Sequence, residues 1–152
     1  MAITDNIISQ GESAMAKTFS KSSITSEAAA TVIAGARAKA AEMGKPMIIA
    51  VCDESGVLKA YERMDGGPLL SVGIAQDKAY TAVSFGMPSH AWHDFIKDDA
   101  PLADGIVKTD RLVVFGGGYP IVVDDEIVGG IGVSGGHYSD DMIVAQAGLD
   151  AL

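Results

Sequence analysis

The chain of 152 residues carries a single cysteine, Cys52. One thiol excludes an internal disulfide framework and any cysteine-rich zinc or iron–sulfur site. Basic residues are also scarce. Eleven lysines and arginines face 20 acidic residues, giving a formal net charge of −9. Such a surface repels a phosphate backbone at long range, and no basic cluster offsets it, so no nucleic-acid partner is expected. Long apolar runs are missing as well. None approaches the roughly 20 residues that span a bilayer, so no membrane partner is expected. Residues 1–23 are polar and mixed in charge, without the basic and apolar regions of a signal peptide. The expected location is therefore cytoplasmic.

What is present is a globular composition, with 48% hydrophobic and 20% charged residues. A chain of this length folds as one domain and buries roughly 70% of its unfolded surface. Residues 1–23 read as an N-terminal extension, in which Ile7, Ile8, Met15 and Phe19 suit a short amphipathic helix. The domain proper is expected over 24–152. Its first helix runs from Ser26 to Met43, capped by Thr25 or Ser26 and stopped by Gly44 and Pro46. Met47–Cys52 is apolar throughout and reads as an inner strand covered on both faces, with Cys52 a small buried hydrophobe.

The turn Asp53-Glu54-Ser55-Gly56 leads into a second strand, Val57–Met64, closing a hairpin. Ser71 can cap a helix to Phe85, whose Ala75, Ala79 and Ala82 make a narrow small-residue face. A short helix follows over Ser89–Lys97, then a loop of about a dozen residues with Pro101 and Gly105. Leu112–Phe115 reads as a short strand. Pro120–Val123 and Ile127–Ser134 read as a second hairpin, and a last helix runs over Asp140–Leu152, capped by Ser139, with Asp140 and Asp141 suiting its positive end. Two hairpins require antiparallel pairing, so the fold class is α+β: one domain, a five-stranded antiparallel sheet flanked by helices.

Two glycine motifs do not carry their usual chemistry. Gly130-Ile131-Gly132-Val133-Ser134-Gly135 matches a dinucleotide fingerprint, but only 17 residues follow Gly135, too few for the next strand and its acid. Gly132-Val133-Ser134-Gly135-Gly136 matches a nucleophile elbow, yet the one later histidine, His137, is three residues away. A triad of another order, Ser134 with His90 or His93, stays open. The plainer reading is a strand face almost bare of side chains, made by Val128, Gly130, Gly132 and Ser134, against which the alanine-faced helix or a flat ligand packs.

The chemistry-bearing stretch is Arg63-Met64-Asp65-Gly66-Gly67, followed by Lys78. Charges held near a core are costly unless paired or used. Arg63 can bind a carboxylate bidentately, Asp65 can orient it or act as base, and Lys78 can serve as acid, base or anion anchor. The amides of Gly116, Gly117 and Gly118 can add an anion nest. The alternative is a structural ion-pair network of Arg63, Asp65 and Lys78. His90 and His93 share a helix face and, with His137, can ligate a metal or haem iron, although histidines on a short surface helix are more often bystanders. Trp92 and Tyr138 serve packing, an interface or a pocket wall.

These motifs, in order, resemble the haem-degrading-domain family typified by GlcG and HbpS and found as the C-terminal part of PduO-type proteins. The residues that carry the resemblance are Asp53-Glu54-Ser55-Gly56-Val57-Leu58, Arg63-Met64-Asp65-Gly66, Ser71, Ile74-Ala75, Lys78-Ala79 and Thr81-Ala82. Gly116 to Ile121, Val128 to Gly136 and Ala147-Gly148 complete the set. His90-Ala91-Trp92-His93 and Gly136-His137-Tyr138 lie outside the shared pattern. The resemblance implies a five-stranded antiparallel sheet in a homo-oligomer, with links to haem and to catabolic operons. The expected function is a small-molecule enzyme or binder acting on a small carboxylated metabolite, by isomerisation, hydrolysis or deamination. Arg63, Asp65, Lys78 and His93 would be catalytic, and Ser71, Gly116, Gly117, Gly118, Ser134 and His137 would bind the ligand, with no metal and no required cofactor. The alternatives are a haem-binding or haem-degrading protein, haem being the one cofactor implied, and a non-catalytic oligomeric accessory protein.

Overall fold

A computed structural model describes residues 15–152. Its elements are α1 (Ser26–Glu42), β1 (Ile48–Asp53), β2 (Leu58–Arg63), α2 (Ser71–Phe85), α3 (Ala91–Ile96), α4 (Ala100–Ile106), β3 (Gly118–Val123), β4 (Glu126–Ser134) and α5 (Tyr138–Asp150). The sheet order is β2-β1-β4-β3, and every neighbouring pair is antiparallel. The two hairpins therefore meet along β1 and β4. Both central strands are buried, as the apolar run of β1 requires.

One face of the sheet carries α1 and α5, the other α2. Ile49, Val51, Ile131 and Val133 point to the first face and pack with Val32, Ile33 and Ala36 of α1 and Val144 and Ala145 of α5. Full burial of each such aliphatic side chain is worth about 1.5–3 kcal/mol. Ile48 and Ala50 point the other way, toward Ala75 of α2. Here the bare face of β4 lies under the helix. A Cβ on Gly132 would run into the Ala75 carbonyl oxygen, and one on Gly130 would come within 2.7 Å of the Ala79 carbonyl oxygen. The glycines and alanines thus let backbone meet backbone, and the strand face receives a helix rather than a flat ligand.

The sheet has four strands, not five. Leu112–Phe115 is irregular because its polar groups are taken elsewhere. The Val113 amide donates to Thr81 Oγ1 (3.0 Å), and the Arg111 carbonyl accepts from the same hydroxyl (2.9 Å). The segment is thereby tied to α2 instead of a sheet edge. The loop expected after α3 contains α4, where Asp99 accepts from the Leu102 amide and Pro101 sits in the first turn. Proline is well tolerated there, since that turn has no intrahelical use for its N–H. At α5 the cap is His137, not Ser139: its Nδ1 accepts from the Ser139 amide. Of the expected N-terminal helix, Ile7 and Ile8 fall outside the described residues, while Met15 and Phe19 are exposed in non-helical chain. Among the described residues no helix is long and apolar enough to cross a membrane.

Cys52 is 2% exposed in β1, and burial pushes its thiol up to about 11. Alkylation by iodoacetamide at about pH 8 needs thiolate and access. The native protein is therefore expected to resist modification, with one thiol reacting once urea unfolds the chain. Rapid labelling of the folded protein would contradict this burial.

Candidate functional site

Lys78 sits mid-way along α2 on the helix face turned to the sheet, and it is fully buried. Its Nζ donates to Asp141 Oδ2 (2.7 Å) and to the Val133 carbonyl oxygen (2.8 Å). Asp141, in the first turn of α5, is 2% exposed and also accepts from the Gly136 amide (3.1 Å). One buried ion pair thus joins α2, the end of β4 and α5. Burial pulls the Lys78 ammonium down from its ordinary range, opposed by Asp141. Burial likewise pushes the Asp141 carboxyl up, opposed by Lys78 and the Gly136 amide. Both directions express the same cost of removing charge from water.

The expected grouping of Arg63 and Asp65 with Lys78 is not what the fold assembles. Arg63 ends β2 and Asp65 lies in the following turn, both exposed and without an ion pair among the described residues. The partner of Lys78 is Asp141, 63 residues away, whose position in sequence suggested only a favourable charge at a helix start. The glycine segment does reach Lys78, but as a wrapping. A Cβ on Gly117, whose φ is +120°, would lie 2.7 Å from Lys78 Nζ. The Gly118 amide donates to Ser89 Oγ (2.8 Å), and its carbonyl accepts from the Ser89 amide (2.9 Å). Gly116 packs on Met142 and Tyr138.

Ser71 and Ser134 also come together, buried, with Ser134 Oγ donating to Ser71 Oγ (2.9 Å). Ser134 thus spends its hydroxyl proton on a serine and not on an imidazole. The His137 imidazole serves the α5 cap through Nδ1, and its ring lies 4.2 Å from that of Tyr138.

The remaining histidines border an open cleft. The ring of Phe115 covers Lys78, with Nζ 5.1 Å from its centroid, and its outer side is exposed. Together with His90, His93, Asp94, Gly116 and Tyr138 it lines a cleft of about 390 Å³. His90 is braced edge-on by Tyr119, ring centroids 5.7 Å apart. His93 is exposed on α3, and its imidazole has no hydrogen bond among the described residues. Asp94 pairs with Lys97 (3.1 Å) at the rim. The cleft therefore combines two imidazoles, two aromatic walls and, beneath Phe115, a buried pair of zero net charge.

A family model described as haem degrading protein HbpS-like matches residues 24–150. An uncharacterized 15.0 kDa protein in the dhaT-dhaS intergenic region of Citrobacter freundii is 33% identical over 91% of this chain and 98% of its own length. A crystal structure of a PduOC:heme complex superposes with a TM-score of 0.80 at 27% identity, covering 86% of this chain and 95% of that one. A double mutant of HbpS from Streptomyces reticuli has a TM-score of 0.80 at 30% identity, covering 89% of this chain and 90% of that one. The chain spans only 34% of the length of the Salmonella typhimurium corrinoid adenosyltransferase PduO that it also resembles. By the matched family model and by identity along nearly the whole chain, the protein belongs to the HbpS-like haem-degrading protein family.

Proposed function

We propose that this protein binds haem in the cleft between α3 and the Phe115–Gly116 segment, with His93 as the iron ligand. The observation that carries the reading is that two imidazoles, His90 and His93, and two aromatic rings, Phe115 and Tyr138, line one cleft. A neutral imidazole is a common iron ligand, and a flat macrocycle is held by aromatic faces. The volume of about 390 Å³ is at the small end for a cofactor site, so part of the ring would stand outside. The family membership and the haem complex of the PduOC relative support the same ligand. Bound haem would supply a redox-active iron. The residues of the chain would position it: His93 would hold the iron, His90, packed edge-on against Tyr119, would stand beside it, and the Lys78–Asp141 pair would add no net charge below Phe115. A homo-oligomer is part of the proposal, because Leu69 and Leu70 before α2 are 83% and 77% exposed side by side.

Titration with hemin, followed at the Soret band, is expected to give a saturable shift. His93→Ala should weaken binding about tenfold or more, a loss of about 1.4 kcal/mol, and His90→Ala should weaken it less. Absence of saturation, or a shift untouched in the double His90→Ala/His93→Ala variant, would remove this site from consideration.

A further inference from the structure

The chain leading into α1 leaves large apolar side chains with nothing to cover them. Residues 15–25 run without helix or strand. The root of this arm is fixed. Ile24 is buried and its amide donates to the Val128 carbonyl (3.0 Å). Lys21 Nζ reaches Glu54 (3.1 Å) and Ser55 (2.8 Å) in the β1–β2 turn. Beyond that root, Phe19 is 85% and Met15 91% exposed. A phenylalanine held out in water on an anchored arm contributes stability only when something covers it.

A seat for it lies close by. Phe85, Ile106 and Leu112, with Trp92 behind them, wall a mostly apolar cleft of about 350 Å³ between α2, α3 and α4. That volume suits about one aromatic ring. Phe85, at 69% exposure, forms the lip. The cleft adjoins the root of the arm: Gly56, next to Ser55, packs on the Tyr80 ring, and the Arg111 guanidinium lies 3.9 Å over that same ring. The chain's own Phe19 nevertheless stays outside, in water. Charge points the same way. Residues 15–23 hold Lys17 and Lys21 and no acid, in a chain of net charge −9. Glu54 takes Lys21, and Arg111 takes Asp77. Lys17 on the arm and Asp110 at the cleft have no ion pair among the described residues.

We propose that a second copy of this chain fills the cleft: Phe19 of each protomer enters the cleft of its partner, and Lys17 meets the partner's Asp110. A two-fold axis running between root and cleft sets each arm over the opposite cleft, and every contact then occurs twice. From Lys21 to Phe19 the arm reaches about 7 Å at most, so the partner must sit directly against this surface. Leu69 and Leu70 precede α2 whereas Phe85 ends it, so this contact and theirs lie at opposite ends of that helix. The inference shares with the reading above only that copies associate; haem takes no part in it.

Sedimentation equilibrium of the full chain over a range of concentrations tests this. Phe19→Asp is expected to weaken association about thirtyfold or more, because an aromatic anchor is lost from both halves of the contact. Lys17→Glu and Asp110→Lys should each weaken it by less. The double variant Lys17→Glu/Asp110→Lys should regain most of the wild-type association, since the two charges then pair in the reverse sense. Lys17, Phe19 and Asp110 are all exposed, so these variants should keep the fold. Leu69→Asp/Leu70→Asp, measured beside them, reads the other contact separately. Hemin titration of Phe19→Asp should match wild type, so the haem reading and this one can fail apart. A monomeric wild type, an association unmoved by Phe19→Asp, or a double charge variant no stronger than the singles would overturn the proposal.

Discussion

Lys78→Met is expected to cost about 3–5 kcal/mol of folding stability, because it leaves the Asp141 carboxyl buried without its cation. Asp141→Asn should cost a similar amount by stranding the ammonium. The two side chains are 0% and 2% exposed, so water screens little of this. Replacing both should restore most of the loss. In Lys78→Met/Asp141→Asn no charge remains to be desolvated, and the side-chain oxygen of the new asparagine can still accept from the Gly136 amide. Urea unfolding of all four proteins at about pH 7 measures the coupling. A double variant as unstable as the sum of the singles would show that the pair does not act as a unit.

The single variants should also respond to pH in opposite directions. In Lys78→Met, burial raises the Asp141 carboxyl with the ammonium no longer opposing it. A raised acid contributes stability below its unfolded value of about 3.9, and that contribution is lost as pH rises through the folded value. The deficit against wild type should therefore be smaller at about pH 4 than at pH 7. In Asp141→Asn, burial lowers Lys78 without opposition from the carboxylate. The unfolded chain then holds a proton that the folded one releases, up to about pH 10.4. This deficit should shrink as pH rises from about 7 to 9.5. Slopes of the same sign would contradict the burial of one partner or the other.

Local features were legible in sequence where short-range rules decide them. Thr25 caps α1 by accepting from the Ala28 amide, and α2 ends at Phe85 as expected. Ser71, however, is the first residue of α2 and not its cap: Leu70 holds the cap position without a side-chain bond, and the Ser71 hydroxyl meets Ser134 instead. The unbroken apolar run of β1 correctly marks a strand covered on both faces. The glycine face of β4 was readable as a helix seat. Features set by distant partners were not. Leu112–Phe115 has the composition of a strand, but Thr81, in another element, takes its amide and the adjoining carbonyl. Pro101 and Gly105 look like loop residues until Asp99 is seen to cap a helix there. The buried pair is the clearest case. Arg63 and Asp65 are near Lys78 along the chain and drew attention for that reason, whereas Asp141 comes next to Lys78 only when α5 folds back beside β4. One hint was available: Asp140 and Asp141 both sit at the start of α5, and a helix start uses one carboxylate well, so the second invited another role. Asp140 does pair with Lys45, leaving Asp141 to Lys78.

Gly132→Ala should be the most damaging single-methyl change in the sheet, costing about 3 kcal/mol. Gly132 lies in β4 paired to Ala50 of β1 and Gly118 of β3, so its backbone is held on both sides. An added Cβ would meet the Ala75 carbonyl oxygen and come within 2.5 Å of the Ala79 amide nitrogen. Both are backbone atoms of α2, and no rotamer change can clear them. The helix must lift as a body. Lifting it also loosens Lys78, one residue before Ala79, from the Val133 carbonyl, which directly follows Gly132. The loss should therefore exceed that of Gly73→Ala, on the exposed side of α2 with open space around it, where alanine should stabilise by up to about 1 kcal/mol. Thermal unfolding of the two variants beside wild type gives the ordering. If Gly132→Ala melted within a degree or two of wild type, α2 could not be seated on β4 as closely as its alanines and the facing glycines imply.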